Sequence, residues 1–131
     1  MAYKFHHIAI ACSDIKCTLS KYEALGYQGG NIIWDNIQKV NVIFLKADGM
    51  PTIELVSSDN ERSPIQGILQ KTGVSPYHTC YITDDFEASI VNLEEQGFIK
   101  LDDPVQAIAL NNKRIVFMYN IDSGLIEFME E

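Results

Sequence analysis

Two histidines and two glutamates recur at matched positions of an internal repeat in this chain. The first half of the 131-residue sequence aligns with the second half at an offset of 71 residues, which places His7 on His78. After an insertion of two residues the offset becomes 73, which places Glu54 on Glu127. Imidazole nitrogens and carboxylate oxygens bind divalent first-row transition metals. The repeat therefore predicts one metal site to which each half contributes two ligands.

Strand-like segments contain all four of these residues. Each glutamate lies between two apolar residues, and successive side chains of a strand point to opposite faces of the sheet. Both glutamates are therefore expected on the face opposite their apolar neighbours, and the two histidines can point into the same cavity. His6 has no histidine counterpart in the second half, where it aligns with Tyr77. Alternation predicts that His6 points away from His7, toward the surface or the rim.

The rest of the repeat predicts the elements that must position these ligands. Each half begins with an apolar strand, continues with a helix that an aspartate can cap and a glycine can end, and finishes with three more strands. The predicted strands span 7–12, 27–34, 38–46 and 52–57, then 78–83, 98–102 (with a possible extension to 110), 113–120 and 125–129. The predicted fold class is α+β, with the unit βαβββ occurring twice.

The two units are predicted to form a single domain. The first module covers 1–60, the second covers 76–131, and 61–75 form a linker helix and turn. Ser63-Pro64 marks the start of the linker helix, because proline is favoured in a first helical turn. A chain of this length buries roughly two-thirds of its unfolded surface and needs no disulfides.

Composition excludes several classes of protein. The formal charge of −8 argues against a nucleic-acid partner, because proteins that bind a phosphate backbone usually show a basic face. No apolar run approaches the roughly 18 residues that span a bilayer, and the N-terminus does not resemble a signal peptide. Three cysteines are an odd number and predict reduced thiols, which indicates a cytoplasmic protein without a membrane partner.

The paired βαβββ units, each with its His and Glu, resemble the vicinal oxygen chelate superfamily, also called the glyoxalase/bleomycin-resistance/dioxygenase superfamily. The resemblance covers nearly the whole chain. It implies a curved mixed sheet around a divalent transition metal such as Co, Ni, Mn or Zn. The family order of ligands, His, Glu or Gln, His, Glu, implies that His7, Glu54, His78 and Glu127 bind this metal.

Within the superfamily the chain most resembles the methylmalonyl-CoA epimerases. The segment from Ser63 to Lys71 is similar to their SPIxxFLxK stretch, and Tyr77-His78 stands where they have a His-His pair. The resemblance implies a homodimer that acts on a CoA or glutathione thioester. It also implies that a proton is removed next to the thioester carbonyl and returned through a metal-stabilised enolate. Glu127 is the first candidate for the base, and Glu54 the second.

Three further residues are candidate substrate contacts. Asn41 stands where some epimerases carry an extra carboxylate base, and an asparagine cannot abstract a proton. Arg114 is its counterpart in the second half and could anchor a carboxylate or a phosphate. Ser63, at the start of the linker helix, is the third.

Three other functions stay open within the same superfamily. A lactoylglutathione lyase would use the same ligands, although Ala9 and Ala11 stand where bacterial relatives have a basic residue. A metal-free binding protein of the bleomycin-resistance type would have lost the ligands that this chain keeps. A ring-cleaving dioxygenase needs two histidines and one carboxylate, which would leave Glu54 superfluous.

Overall fold

Ten strands and three helices make up the computed structural model, which describes residues 1–131. The strands are β1 (Tyr3–Ala11), β2 (Gln28–Gly29), β3 (Ile33–Asp35), β4 (Val40–Lys46), β5 (Ile53–Ser57), β6 (Ser75–Thr83), β7 (Ile99–Lys100), β8 (Val105–Ala107), β9 (Lys113–Asn120) and β10 (Gly124–Glu130). The helices are α1 (Ile15–Glu23), α2 (Pro64–Thr72) and α3 (Phe86–Glu95), with a 3-10 helix at Ile108–Leu110.

All strands belong to one mixed sheet in which the two modules lie side by side. The order is β2-β4-β5-β1-β6-β10-β9-β7, with β3 also paired to β4 and β8 also paired to β9. The first strands of the modules, β1 and β6, form the central antiparallel pair. Each first strand also pairs in parallel with the last strand of its own module, β5 or β10. The predicted α+β fold with two βαβββ units is confirmed.

The second strand of each module differs from the prediction, because each divides into two short strands. In the first module β2 ends at Gly29, where a Cβ atom would lie 2.9 Å from Cδ1 of Ile43. In the second module Pro104 interrupts the run, since proline has no N–H to donate to a neighbouring strand. The predicted extension to residue 110 becomes β8 and the 3-10 helix.

The helices begin at the predicted capping residues. Asp14, Ser63 and Asp85 each accept a hydrogen bond from a backbone N–H in the first turn of α1, α2 and α3. Such caps stabilise a helix by about 1 kcal/mol. None of the helices has the length and apolar character needed to cross a membrane.

The sheet has a helix-covered face and a cavity face. On the first face, α1 packs on β1, β4 and β5, while α3 packs on β9 and β10. On the second face, Val42 of β4 and Phe117 of β9 line one cavity although five strand positions separate β4 from β9. The sheet therefore curves around this cavity. The 3-10 helix contacts β3, and its residues Ala109 and Leu110 line the same cavity.

Candidate metal centre

The four predicted ligands meet at the centre of the cavity face. Nε2 of His7 lies 3.4 Å from Oε1 of Glu54 and 3.3 Å from Oε1 of Glu127. Nε2 of His78 lies 3.7 Å and 3.2 Å from the same two oxygens. Each imidazole nitrogen thus faces both carboxylate oxygens, and each module supplies one histidine and one glutamate. His7, Glu54 and His78 offer ligand atoms that all lie within 4.8 Å of one another.

These side chains are buried and lack hydrogen-bond partners where they face each other. Their exposed fractions run from 0% for His7 to 7% for Glu54. Nε2 of His7, Nε2 of His78 and Oε1 of Glu127 make no hydrogen bond, because their close contacts lack hydrogen-bond geometry. A buried polar atom without a partner costs about 1–3 kcal/mol, so the cluster is incomplete without a further group. Its donor set fits a divalent transition metal.

The charges in the cluster change the pKa of two of its members. Burial lowers the pKa of His7, but the carboxylates of Glu127 and Glu54 outweigh burial and raise that pKa to about 9. Burial raises the pKa of Glu127, but His78 and His7 outweigh it and hold that pKa well below its ordinary value. Without a metal, a proton on His7 therefore balances the buried carboxylates. A divalent cation would take its place.

Strand register brings the ligands together. Glu54 of β5 pairs with Ala9 of β1, and Glu127 of β10 pairs with Cys80 of β6. Across the central pair of strands, Ala9 lies opposite His78 and Cys80 lies opposite His7. The offsets of the sequence repeat are thus reproduced as a local two-fold arrangement around the site.

A β-bulge precedes each candidate histidine ligand. The register between β1 and β6 shifts between Phe5 and His7, so that His6 has no partner, and it shifts again at Tyr77, which precedes His78. A bulge breaks side-chain alternation and re-aims the residues around it. The expectation that His6 points away from His7 was therefore wrong. His6 is half-buried, and its Nδ1 lies 2.7 Å from Nδ1 of His7.

Two phenylalanines that sequence reasoning missed support the histidines. Phe44 contacts His7 edge to face with ring centroids 5.3 Å apart, and Phe117 contacts His78 in the same way at 5.1 Å. Phe44 also pairs with Glu54 across β4 and β5, as Phe117 pairs with Glu127 across β9 and β10. The offset of 73 residues aligns Phe44 with Phe117, so the repeat contained a signal for this pair.

An inner and an outer cavity lead to the cluster. The inner cavity has a volume of about 30 Å³, and Glu54, His78 and Glu127 form part of its wall. The outer cavity, of about 520 Å³, shares four of the inner cavity's lining residues: Gln38, Val40, Tyr77 and Phe117. Both walls are mostly apolar, and neither includes a lysine or an arginine.

The three candidate substrate contacts lie apart from the cluster. Asn41 alternates on β4 with Val40 and Val42, which line the inner cavity, so Asn41 belongs to the helix-covered face. Ser63 lines the outer cavity, but its hydroxyl oxygen accepts the backbone N–H of Ile65. The prediction that Asn41 contacts substrate is therefore not supported by its placement.

Arg114 also belongs to the helix-covered face. Its guanidinium lies 2.8 Å from Glu87 of α3, donates to Glu130 and stacks over the ring of Phe86 at 4.8 Å. These contacts raise its pKa, first through Glu130 and then through Glu87. A charge that is satisfied in this way, on the face opposite the cavity, cannot anchor an anionic substrate in the cavity.

Comparison with known proteins places this chain and its fold in a family. The Glyoxalase/Bleomycin resistance protein/Dioxygenase superfamily matches residues 6–117. A hypothetical protein from Bacillus halodurans is 28% identical, with a TM-score of 0.86 and coverage of 100% of this chain and 96% of that one. No curated protein matches the chain.

Two methylmalonyl-CoA epimerases are also similar in structure. The enzyme from Mycobacterium tuberculosis is 25% identical, with a TM-score of 0.84 and coverage of 96% of this chain and 86% of that one. The enzyme from Streptomyces coelicolor, in complex with 2-nitronate-propionyl-CoA, is 25% identical, with a TM-score of 0.82 and coverage of 98% and 96%. The match of the family to most of the sequence, together with these folds, shows that the chain belongs to the Glyoxalase/Bleomycin resistance protein/Dioxygenase superfamily.

Proposed function

We propose that this chain is a metal-dependent epimerase or isomerase that moves the proton next to the carbonyl of an acyl thioester. The observation that carries the proposal is the convergence of unpartnered Nε2 and Oε1 atoms from His7, His78 and Glu127 beside Glu54. The similarity to methylmalonyl-CoA epimerases supports the reaction type and a CoA thioester as the substrate class. The cluster needs no residue from a second chain, and the homodimer stays a prediction.

The four clustered residues would hold the metal through their side chains. When bound, a divalent cation stabilises the negative charge that develops on a carbonyl oxygen as the neighbouring proton leaves. The mostly apolar walls, which include Val42, Val56 and Phe117, exclude water from the reacting carbon.

Glu127 is the candidate base. Its carboxylate lines the inner cavity beside the two histidines, within reach of a substrate carbon placed there, and a carboxylate so placed can accept a proton. The C–H bond breaks, the proton goes to Glu127, and the electron pair moves to the carbonyl oxygen. Returning the proton to the opposite face of the carbon completes an epimerisation, and Glu54 is the candidate for that side because it also lines the inner cavity.

The cavities suit a short acyl group. The inner cavity of about 30 Å³ has room for only a few atoms, and the outer cavity is mostly apolar. Because no lysine or arginine lines either cavity, the anionic part of a CoA or glutathione carrier would lie beyond the mouth of the outer cavity.

A lactoylglutathione lyase reaction is the second candidate, because the inner cavity offers no free carboxylate besides the two candidate metal ligands Glu54 and Glu127. Asp35 is the remaining carboxylate of the inner cavity, and it already accepts three hydrogen bonds from Ile37 and Gln38. Val42 faces the cavity from β4, next to Asn41, and its side chain cannot accept a proton. Transfer of a proton between adjacent carbons requires a single carboxylate, whereas epimerisation requires access to both faces.

The test is solvent deuterium exchange with purified protein reconstituted with Co²⁺. We expect deuterium to enter the α-carbon of methylmalonyl-CoA, no exchange with metal-free protein, and a strongly reduced rate of exchange with Glu127→Gln. Conversion of the methylglyoxal–glutathione adduct without exchange on methylmalonyl-CoA would establish the second candidate. Activity on neither substrate, in a protein that binds Co²⁺ normally, would contradict the proposed thioester chemistry.

A further inference from the structure

His6 makes a contact that the proposed reaction does not use. The rings of His6 and His7 are 5.0 Å apart at an angle of 80°, with their Nδ1 atoms separated by 2.7 Å. This is the distance of a strong hydrogen bond, in which one nitrogen donates a proton and the other accepts it. The bulge at His6 creates the contact, because regular alternation would place the two rings on opposite faces.

We propose that His6 is a positioning residue that fixes the ring orientation and the protonated nitrogen of His7 for metal binding. This inference rests on the proposed metal site. His6 accepts the Nδ1–H of His7, which directs Nε2 of His7 at the carboxylates of Glu54 and Glu127.

The direction of the hydrogen bond follows from what a metal ligand requires. A neutral imidazole carries one N–H, so His7 can bind a metal through Nε2 only when its proton is on Nδ1. His6 must then present a lone pair at Nδ1 and carry its own proton on Nε2.

The geometry of His7 already matches this arrangement. Its Nδ1 lies 2.7 Å from Nδ1 of His6, while its Nε2 lies 3.4 Å and 3.3 Å from Oε1 of Glu54 and Oε1 of Glu127. His7 is therefore oriented in advance, and no rotation of the ring is needed for Nε2 to bind a metal.

The second module lacks this support. Nδ1 of His78 is buried and has no hydrogen-bond partner. Tyr77 occupies the position equivalent to His6 and contributes a ring contact at 4.5 Å. The proposal is therefore specific to His7, and Tyr77 provides the matched control position.

The experiment combines NMR with calorimetry on the whole protein. In ¹⁵N-histidine-labelled wild-type protein, metal-free and loaded with Zn²⁺, we expect a slowly exchanging Nδ1–H of His7 with a ¹⁵N–¹⁵N coupling to Nδ1 of His6. The variant His6→Phe keeps the ring contact to Phe44 and removes the acceptor. It is expected to lose this signal and to bind Co²⁺ about 10- to 100-fold more weakly.

Two further variants make the test specific. His6→Asn places an amide oxygen near the position of Nδ1 and is expected to restore Co²⁺ affinity close to that of the wild type. Tyr77→Phe should leave affinity unchanged, because His78 receives no hydrogen bond from this position. Wild-type affinity in His6→Phe, an unchanged His7 signal in that variant, or no coupling in the wild type would overturn the proposal. A wild-type protein that shows the coupling but binds no metal would instead overturn the proposed function.

Discussion

The two modules supply the same candidate ligands but surround them differently. His7 has an imidazole partner in His6, whereas His78 has only the ring of Tyr77 beside it. Likewise Glu127 lies beside the thiol of Cys80, where the first module has the methyl group of Ala9. The repeat has kept the residues that converge on the centre and has allowed their neighbours to diverge.

This difference matters for a site that must distinguish two carboxylates. A symmetrical cluster would give Glu54 and Glu127 the same environment and the same chemical role. The divergent neighbours make the two half-sites unequal without moving the ligands. The predictions below test how far this inequality extends.

The largest expected effect separates the two glutamates. Glu127→Gln keeps the shape of the side chain and removes the base, so kcat for proton exchange should fall by about 10²- to 10⁴-fold. Glu54→Gln should have a smaller effect on exchange at the α-carbon and a larger effect on inversion of the centre. The rates of deuterium exchange and of inversion are measured on the same Co²⁺-loaded samples. If Glu127→Gln and Glu54→Gln lose the two rates to the same extent, the half-sites are equivalent.

The metal-free protein should lose stability at high pH through the first module. The pKa of His7 is raised from 6.5 to about 9, so His7 contributes about 3 kcal/mol to the free energy of unfolding. This contribution is complete below pH 6.5 and is lost as the pH rises through 9. Glu127 has a lowered pKa, so its contribution to the free energy of unfolding is present above pH 4.5 and is lost as the pH falls below that value. Urea unfolding in a chelator between pH 5 and 10 measures the window of His7.

The control for that window is His7→Phe, which removes the titrating ring but fills its space. Its free energy of unfolding should change little between pH 6.5 and 10, apart from effects common to both proteins. A wild-type curve that is equally flat would mean that His7 does not hold a proton between the two carboxylates.

The phenylalanine contacts should be equivalent in the two modules. Phe44→Leu and Phe117→Leu each remove an edge-to-face contact with a histidine, and each should lower the free energy of unfolding by about 1 kcal/mol. Chemical denaturation of the two variants measures the costs side by side. A large difference between them would show that the packing around the ligands has diverged as well.

The smallest effect is expected at Arg114, on the helix-covered face. Arg114→Met should leave KM and kcat for the thioester unchanged and lower the melting temperature slightly, because its partners are Glu87 and Glu130. Thermal unfolding and steady-state kinetics on the same preparation distinguish these results. A raised KM would restore Arg114 as a substrate contact.

The sequence predicts that these four residues meet, because the repeat places them at matched points of regular strands. It does not predict the contact between His6 and His7, since the bulge depends on the register between β1 and β6. The pairing of Arg114 also escapes prediction, because it depends on how α3 packs on β9. Local pattern determines which residues are available, and long-range register determines which of them meet.

The central claim is that both modules contribute to a single metal site. Titration of metal-free protein with Co²⁺, followed by calorimetry and by the visible absorption of the bound ion, tests it most directly. We predict one Co²⁺ per chain in the wild type, and loss of tight binding in both His7→Ala and His78→Ala. Unchanged Co²⁺ affinity and absorption in either variant would contradict the claim.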